Sequence, residues 1–492
     1  MDIDVEKDYY AMLGVSPLAT SREIKHAYHE LARRYHPDTR EVETSTRLFH
    51  GIQEAYSVLV NDSSRRSYDR QREERERSDD TALGWDILVS REILSSEHEE
   101  QVLYALVEVR PAIAPVDKRL PLELSIVIDR STSMKGARLE SVKEAARQII
   151  DDLHDDDYLS LIAFDDRAEL VLSGHVGPSR SRAKMAVRGL DAQGGTELLK
   201  GVRVGLGQLG KYRGQDVVSH LILLTDGRTY GDEEACLEAA TRAGDKDIGI
   251  TAMGIGEDWN DDLLDEMAAR SGGTSAYISS PGQVRTLLAS RIHALGSVFA
   301  TELMLSVRTA PGVCVESVFQ TAPSLDRLHL SDGVTRLGPL EIDKPRRMLV
   351  EVAVERRPPG EHRLLQLDLY GDVPSLGRRG ERLRRGIWCE FIPTELGQSE
   401  RDVPAAVLEA LSRIALYRMQ EQAWTALEEG RAGQASRQLE RMATRLLDLG
   451  EKRLAEAALL EAESIIRTGR STEDGRKRIK YGTRTLNLER DL

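Results

Sequence analysis

From residue 119 onward the chain alternates short apolar runs with stretches of helical periodicity, and this alternation restricts it to few folds. The runs "LELSIVID" (122–129), "YLSLIAFD" (158–165), "SHLILLTDG" (219–227) and "IGITAMGIG" (248–256) are of strand length. Helical patterns at 138–154, 196–212 and 260–270 lie between them. Near-continuous apolar strands separated by helices predict a mostly parallel sheet covered on both faces. In such sheets ligands bind at the carboxyl ends of the strands.

That unit is a minority of the 492 residues. A chain of this length exceeds one core, and about two to four domains are expected. Residues 1–70 read as helices: Thr20 and Glu23 form a capping box, and Ile24, Ala27, Tyr28, Leu31 and Tyr35 follow at helical spacing. The run ends at His36-Pro37, because proline disfavours helical geometry in the residue before it. A second apolar face follows in Leu48, Phe49, Ile52, Ala55, Tyr56 and Leu59. Residues 71–85, with "QREERERSDD", read as a charged linker.

Segment 86–118 contains the strand-like "EQVLYALVEVR". Residues 301–395 carry "LMLSVRT", "RMLVEVAVE" and "LLQLDLY" between Pro- and Gly-bearing turns, which predicts an antiparallel β-sandwich. Residues 86–118 are expected to pair with it, making the α/β unit (119–300) an insertion. Residues 404–468 form amphipathic helices along Val407, Leu411 and Ile414, then Ala435, Leu439, Met442 and Leu446, then Leu454, Ala458, Ala462 and Ile465. Residues 469–492 read as a basic tail, whose "KRIKYGTRTLNL" alternates basic and apolar residues and is expected to add a strand or lie outside ordered structure.

The formal charge of −14 argues against nucleic acid or an anionic membrane as the main partner. No stretch has the 18 or so uninterrupted apolar residues of a membrane span, and "MDIDVEKDYY" lacks signal-peptide features. Cys236, Cys314 and Cys389 are far apart and odd in number, as expected of buried small hydrophobes in a reducing cytoplasm.

Two motifs carry chemistry. "DYYAMLGV", "IKHAYHELARRYHPD", "FHGIQEAYSVLVND" and "RRSYDR" occur in order over residues 8–70. In order and spacing they resemble the J domain of DnaJ-type co-chaperones. The resemblance implies recruitment of a DnaK-type chaperone and stimulation of its ATPase. The family's loop triad falls on His36, Pro37 and Asp38, and its basic helix face on Arg22, Lys25, Arg33 and Arg34. A cationic face meeting an acidic chaperone surface supplies orientation and rate. The chain departs from the family in having His29 and Glu30 where two basic residues often follow the helix tyrosine.

The second motif is "DRSTS" at the end of the first α/β strand: Asp129, Ser131 and Ser133. A single loop cannot fill the oxygen shell that a hard cation such as Mg²⁺ prefers. Thr196, after Gly194-Gly195 and at the start of a predicted helix, and Asp226, at the end of another apolar strand, are further candidates. Taken singly, the serines could cap a helix and Asp226 could mark a turn. Together these residues resemble the metal-ion-dependent adhesion site of a von Willebrand factor A (vWA) domain. The resemblance implies Ser131, Ser133 and Thr196 as direct ligands, with Asp129 and Asp226 binding directly or through water. Mg²⁺, or another divalent cation such as Mn²⁺ or Ca²⁺, would keep a sixth position for a partner's carboxylate. Thr132 stands where many members have glycine.

The expected whole is therefore a multidomain α and α/β protein: an N-terminal helical J domain, a Rossmann-like vWA domain, a flanking antiparallel β-sandwich and a C-terminal helical bundle. The expected function is a cytoplasmic co-chaperone or adaptor that is not an enzyme. A metal-dependent scaffold without co-chaperone activity is the alternative. A phosphohydrolase with Asp129 as nucleophile fits less well, since Ser131 offers no general acid and no phosphate-cradling loop or Walker motif is present.

Overall fold

A computed structural model of the chain describes residues 9–15, 19–35, 43–61, 63–69, 71, 81–113, 119–211, 217–229, 231–280, 282–393 and 403–486. The N-terminal helices are α1 (Tyr9–Leu13), α2 (Ser21–Tyr35), α3 (Glu43–Leu59) and α4 (residues 63–69). The capping box opens α2 as the sequence predicts. Glu23 Oε2 accepts from the Thr20 amide at 2.6 Å, and Thr20 Oγ1 accepts from the Glu23 amide at 3.3 Å. Ile24, Ile52, Ala55, Leu59 and Tyr68 form the small core, with Tyr28 stacked on Tyr56 at 3.9 Å between ring centroids. His36, Pro37 and Asp38 lie outside the described residues, as do residues 72–80 of the expected linker.

Ordered structure resumes inside that expected linker, with β1 (Leu83–Val89), followed by β2 (Ile93–Ser95) and β3 (Glu100–Pro111). The chain then enters the α/β domain. Its elements are β4 (Leu122–Asp129), α5 (Ala137–Asp152), β5 (Tyr158–Phe164), β6 (Ala168–His175), α6 (Val176–Arg188) and α7 (Leu198–Leu206). There follow β7 (Val218–Thr225), α8 (Glu233–Gly244), β8 (Gly249–Ile255), α9 (Asp261–Ser271), β9 (Thr274–Ile278) and α10 (Gln283–Gly296). The sheet order is β6-β5-β4-β7-β8-β9, parallel except for the edge strand β6. β4 is buried at every position, which explains why it reads as a continuous apolar run rather than an alternating one. Apolar layers cover both faces of the sheet.

The remaining strands are β10 (Val298–Thr309), β11 (Val313–Ala322), β12 (Asp326–Leu328), β13 (Val334–Arg336), β14 (Leu340–Glu341), β15 (Arg346–Glu355), β16 (Gly360–Val373) and β17 (Arg378–Ile392). They form two sheets, β1-β3-β15-β11-β12 and β13-β10-β16-β17-β2, with β14 also on β10. β3 lies antiparallel to β15 from Glu100 opposite Glu355 to Val109 opposite Arg346. The α/β domain is thus inserted between strands of one sandwich.

Four helices close the described chain: α11 (Ala405–Glu428), α12 (Ala432–Asp448), α13 (Lys452–Thr468) and α14 (Glu473–Arg484). The last corrects the expectation of a basic tail that adds a strand or stays outside ordered structure. Residues 473–484 are helical because their basic groups meet carboxylates of the α/β domain. Lys480 donates to Asp261 at 2.6 Å and Asp262 at 3.1 Å. α11 is more than a bundle helix too: Val407, Ala410 and Ile414 pack on Leu106, Phe319 and Leu349 of the five-stranded sheet. Cys236 and Cys389 are buried, whereas Cys314 is exposed, contrary to the expectation for all three. No helix among the described residues is long and apolar enough to cross a membrane.

Candidate functional site

The carboxyl ends of β4, β5 and β7 bring the predicted oxygen donors together. Asp129 is the last residue of β4 and is fully buried. Its Oδ1 accepts from the Ser131 amide at 2.8 Å and its Oδ2 from the Thr225 hydroxyl at 2.6 Å. Both oxygens are therefore held from behind the loop. Burial pushes the carboxyl up to about 6, a rise that the Thr225 and Ser131 hydrogen bonds oppose and nearby Asp226 reinforces.

A single 3₁₀ turn, Thr132–Met134, carries Ser133 to the other side of the loop. Ser131 Oγ lies 2.9 Å from Ser133 Oγ, and Ser133 donates to Asp226 Oδ1 at 2.7 Å. In an octahedron with metal–oxygen bonds of 2.0–2.1 Å, adjacent ligands stand ~2.9 Å apart. The spacing Ser131–Ser133–Asp226 fits two edges of such a shell. Among the described residues no group of three or more His, Cys, Asp or Glu converges as a metal set. The donors here are hydroxyls and two carboxylates, a chemistry suited to a hard cation rather than zinc.

Thr196 precedes α7 by two residues instead of starting the helix, which is shorter than the predicted 196–212. Its position is fixed from below by Gly227. A Cβ on Gly227 would lie 2.7 Å from Thr196 Oγ1, so only glycine leaves the hydroxyl where it is. From above, the neighbouring Gly194 carbonyl accepts from the Thr132 amide at 3.1 Å and the Thr132 hydroxyl at 2.8 Å. The threonine in place of the usual glycine therefore staples the two ligand loops together.

Several residues at the site were not among those the sequence singled out. Asp165 and Asp166 follow β5 and brace the loops. Asp165 accepts from Arg130 Nε at 2.8 Å, and Asp166 Oδ1 accepts from the Gly195 amide at 3.0 Å. Burial would raise Asp165, but the Arg167 amide and the Arg130 guanidinium outweigh it and hold the carboxyl below the ordinary range. Arg138, in the first turn of α5, donates to Asp226 Oδ2 at 2.6 Å. The acids could have been found as the "FDD" ending the second apolar run, by the same edge argument that found Asp226. Arg138 could not, since nothing in its spacing links it to a loop 88 residues away.

In the N-terminal helices, Arg22, Lys25 and Arg33 are exposed on α2, and Arg34 belongs to the same helix. Glu30 lies 3.9 Å from His26 on that surface, so the departure noted in the sequence places a carboxylate within the basic face.

Comparison with known proteins agrees with this division. Residues 8–69 match the DnaJ domain family, 123–289 the von Willebrand factor type A domain, and 405–489 the Sll0103-like C-terminal alpha-helical domain. The chaperone protein DnaJ of Hydrogenobacter thermophilus is 50% identical over 64 residues, 13% of this chain and 18% of that protein. That likeness is to the module alone. A von Willebrand factor type A structure from Catenulispora acidiphila superposes with a TM-score of 0.68 at 18% identity, covering 83% of this chain and 98% of that one. The ArnB paralog VWA2 from Sulfolobus acidocaldarius gives 0.51 at 15% identity, covering 82% and 98%. Both show the fold. The protein sll0103 of Synechocystis is 32% identical over 325 residues, 64% of this chain and 76% of that protein. A DnaJ domain joined to a vWA domain supports a co-chaperone-like or protein-binding role. With three matched modules in order and a relative aligned across most of its length, this chain belongs to the sll0103 family of vWA proteins and carries a DnaJ domain ahead of the shared architecture.

Proposed function

We propose that the chain is an adaptor that brings a DnaK-type chaperone to a partner held by the vWA domain. His36, Pro37 and Asp38 engage the chaperone and stimulate its ATPase, and Arg22, Lys25, Arg33 and Arg34 orient the encounter. Ser131, Ser133, Thr196, Asp129 and Asp226 hold Mg²⁺, with Mn²⁺ or Ca²⁺ as substitutes. The ion supplies an electrophilic position that a carboxylate of the partner protein completes. The cytoplasm is the setting this reading requires.

The observation that carries the reading is the convergence of the Ser131, Ser133 and Asp226 oxygens at one sheet edge, in a chain that also bears a J domain. The site is read as a binding device and not an enzyme, because Asp129 is anchored by both oxygens behind the serines. An attacking nucleophile would have to give up one of those bonds.

Two measurements test the proposal. Capture of partners on the full chain in Mg²⁺ and again in EDTA should differ by at least one protein. Complete insensitivity to EDTA would reject the metal-bridged mechanism. In parallel, His36→Gln should abolish stimulation of a DnaK-type ATPase. Full stimulation by that variant would reject the role given to the loop triad, and no stimulation by the parent chain would leave the second reading, a metal-dependent scaffold, which the Glu30 carboxylate within the basic face favours.

A further inference from the structure

The proposed cation site already contains a positive charge. Asp226 is fully buried, and its two oxygens have divided partners: Oδ1 accepts from Ser133 Oγ at 2.7 Å, and Oδ2 from Arg138 Nη1 at 2.6 Å. Nη1 also lies 3.4 Å from the Ser133 carbonyl. The guanidinium reaches this position by lying against bare backbone. Gly256 sits at φ +75°, and a Cβ there would stand 3.0 Å from Arg138 Nη2. The Arg138 side chain is 35% exposed, while that of Asp226 is closed to solvent. Its Nε and Nη2 make no hydrogen bond among the described residues.

Resting on the metal-site reading above, we infer that Arg138 is a resident counter-cation that competes with the divalent ion for Asp226. Without metal, the guanidinium neutralises a carboxylate that would otherwise be buried uncompensated. When the divalent ion binds, a double positive charge and a single one share the same carboxylate and repel each other. The flexible, half-exposed partner is the one that gives way, since Ser131 and Ser133 are fixed by the loop. Arg138 then presents a planar donor fork beside the ion, a shape matched to a carboxylate. The arrangement keeps metal affinity modest in the free protein and ties full occupancy to an acidic partner.

The test uses Mn²⁺ alone on the full chain, with binding followed by electron paramagnetic resonance and calorimetry. Arg138→Gln removes the competing charge and should bind Mn²⁺ at least about tenfold more tightly than the parent. Arg138→Lys, which keeps the charge, should stay within about threefold of the parent. Equal or weaker binding by Arg138→Gln would overturn the inference, because Arg138 would then only be orienting Asp226. Absence of Mn²⁺ binding by the parent and by every variant would instead reject the underlying metal site, and Asp226→Asn serves as the reference for that outcome. A second readout does not depend on the glutamine variant folding. The arginine Nε–H resonance assigned to Arg138 by its loss in Arg138→Lys should move on saturation with Mg²⁺, and an unmoved signal would also overturn the inference.

Discussion

Two acidic clusters stand on the carboxyl edge of the same sheet, and they are built in opposite ways. At the ends of β4 and β7, Asp226 pairs with one cation, Arg138, while Asp129 is held by the hydrogen bonds of Thr225 and Ser131. After β8, Asp261, Asp262 and Asp265 meet Lys480, Arg484 and Arg476 of α14, three acids against three bases. Burial raises Asp129 to about 6 because its hydrogen bonds do not outweigh the lost solvation. Asp265 is largely buried too, its side chain 13% exposed, yet Arg484 and Lys480 overcome burial and hold it below the ordinary range. The two carboxyls shift in opposite directions, and the difference is the supply of cations. A saturated cluster fastens a helix, whereas an undersupplied one is suited to take a cation from outside.

The comparison breaks most visibly at Lys480. Its ammonium reaches Asp261, Asp262 and Asp265, with the side chain 10% exposed. Lys480→Ala leaves Asp261 without its cation and Asp265 with Arg484 alone, and should cost about 3–5 kcal/mol, read as a fall in the denaturation midpoint. A loss below about 1 kcal/mol would show the cluster to be solvated and the comparison misplaced. Acid tests the same cluster. Asp265 is depressed in the folded chain, so its contribution is present above the unfolded carboxylate value of about 4 and is lost as pH falls through the lower folded value. α14 should therefore loosen in acid before the N-terminal helices do, as seen by amide exchange across residues 473–484. Asp265→Asn should remove that pH dependence.

At the undersupplied cluster the added cation should stabilise the protein. Mg²⁺ at about 100 times its dissociation constant should contribute about 2.7 kcal/mol and raise the thermal midpoint. Ser133→Ala removes the hydroxyl that spans Ser131 and Asp226, and the response to Mg²⁺ should disappear. Lys480→Ala should keep the response despite its lower stability. If both variants lost it, the two clusters would be one cooperative unit.

The same contrast explains what could be read from the sequence. Asp129, Ser131, Ser133 and Asp226 were legible because each ends or follows an apolar run at the sheet edge, so strand pattern and donor chemistry are adjacent in the chain, whereas Thr196 was legible from the two glycines before it. The insertion of the α/β domain was legible for a similar reason, since "EQVLYALVEVR" has the strand character of the segments it joins. α14 was not legible. Lys477, Ile479, Lys480, Tyr481 and Thr483 are all buried, so it presents no apolar stripe of helical period. Lys477 donates to the carbonyl of Trp259 at 2.8 Å and lies 4.6 Å from the centroid of that indole. Such burial is specified by groups more than 200 residues away in sequence, which periodicity does not register. Arg138 was missed for the same reason, its charge being assigned only by the loop that carries Asp226.

The smallest effect is expected at Thr132, and it sharpens the comparison most finely. If order at the metal edge came from charge, as it does under α14, a neutral hydroxyl on the rim would be irrelevant. The geometry points the other way. The Thr132 hydroxyl and amide both bind the Gly194 carbonyl, fixing the loop that positions Thr196 against Gly227. Thr132→Ala keeps the amide bond and removes the hydroxyl bond, which is exposed and should contribute about 0.5–1 kcal/mol. Stability should therefore fall little. Mg²⁺ affinity should fall by about two- to fivefold, because this bond holds two ligand loops in register. Calorimetry on parent and variant separates the cases: unchanged affinity would mean that the amide suffices, and that the departure from glycine serves no purpose at the site.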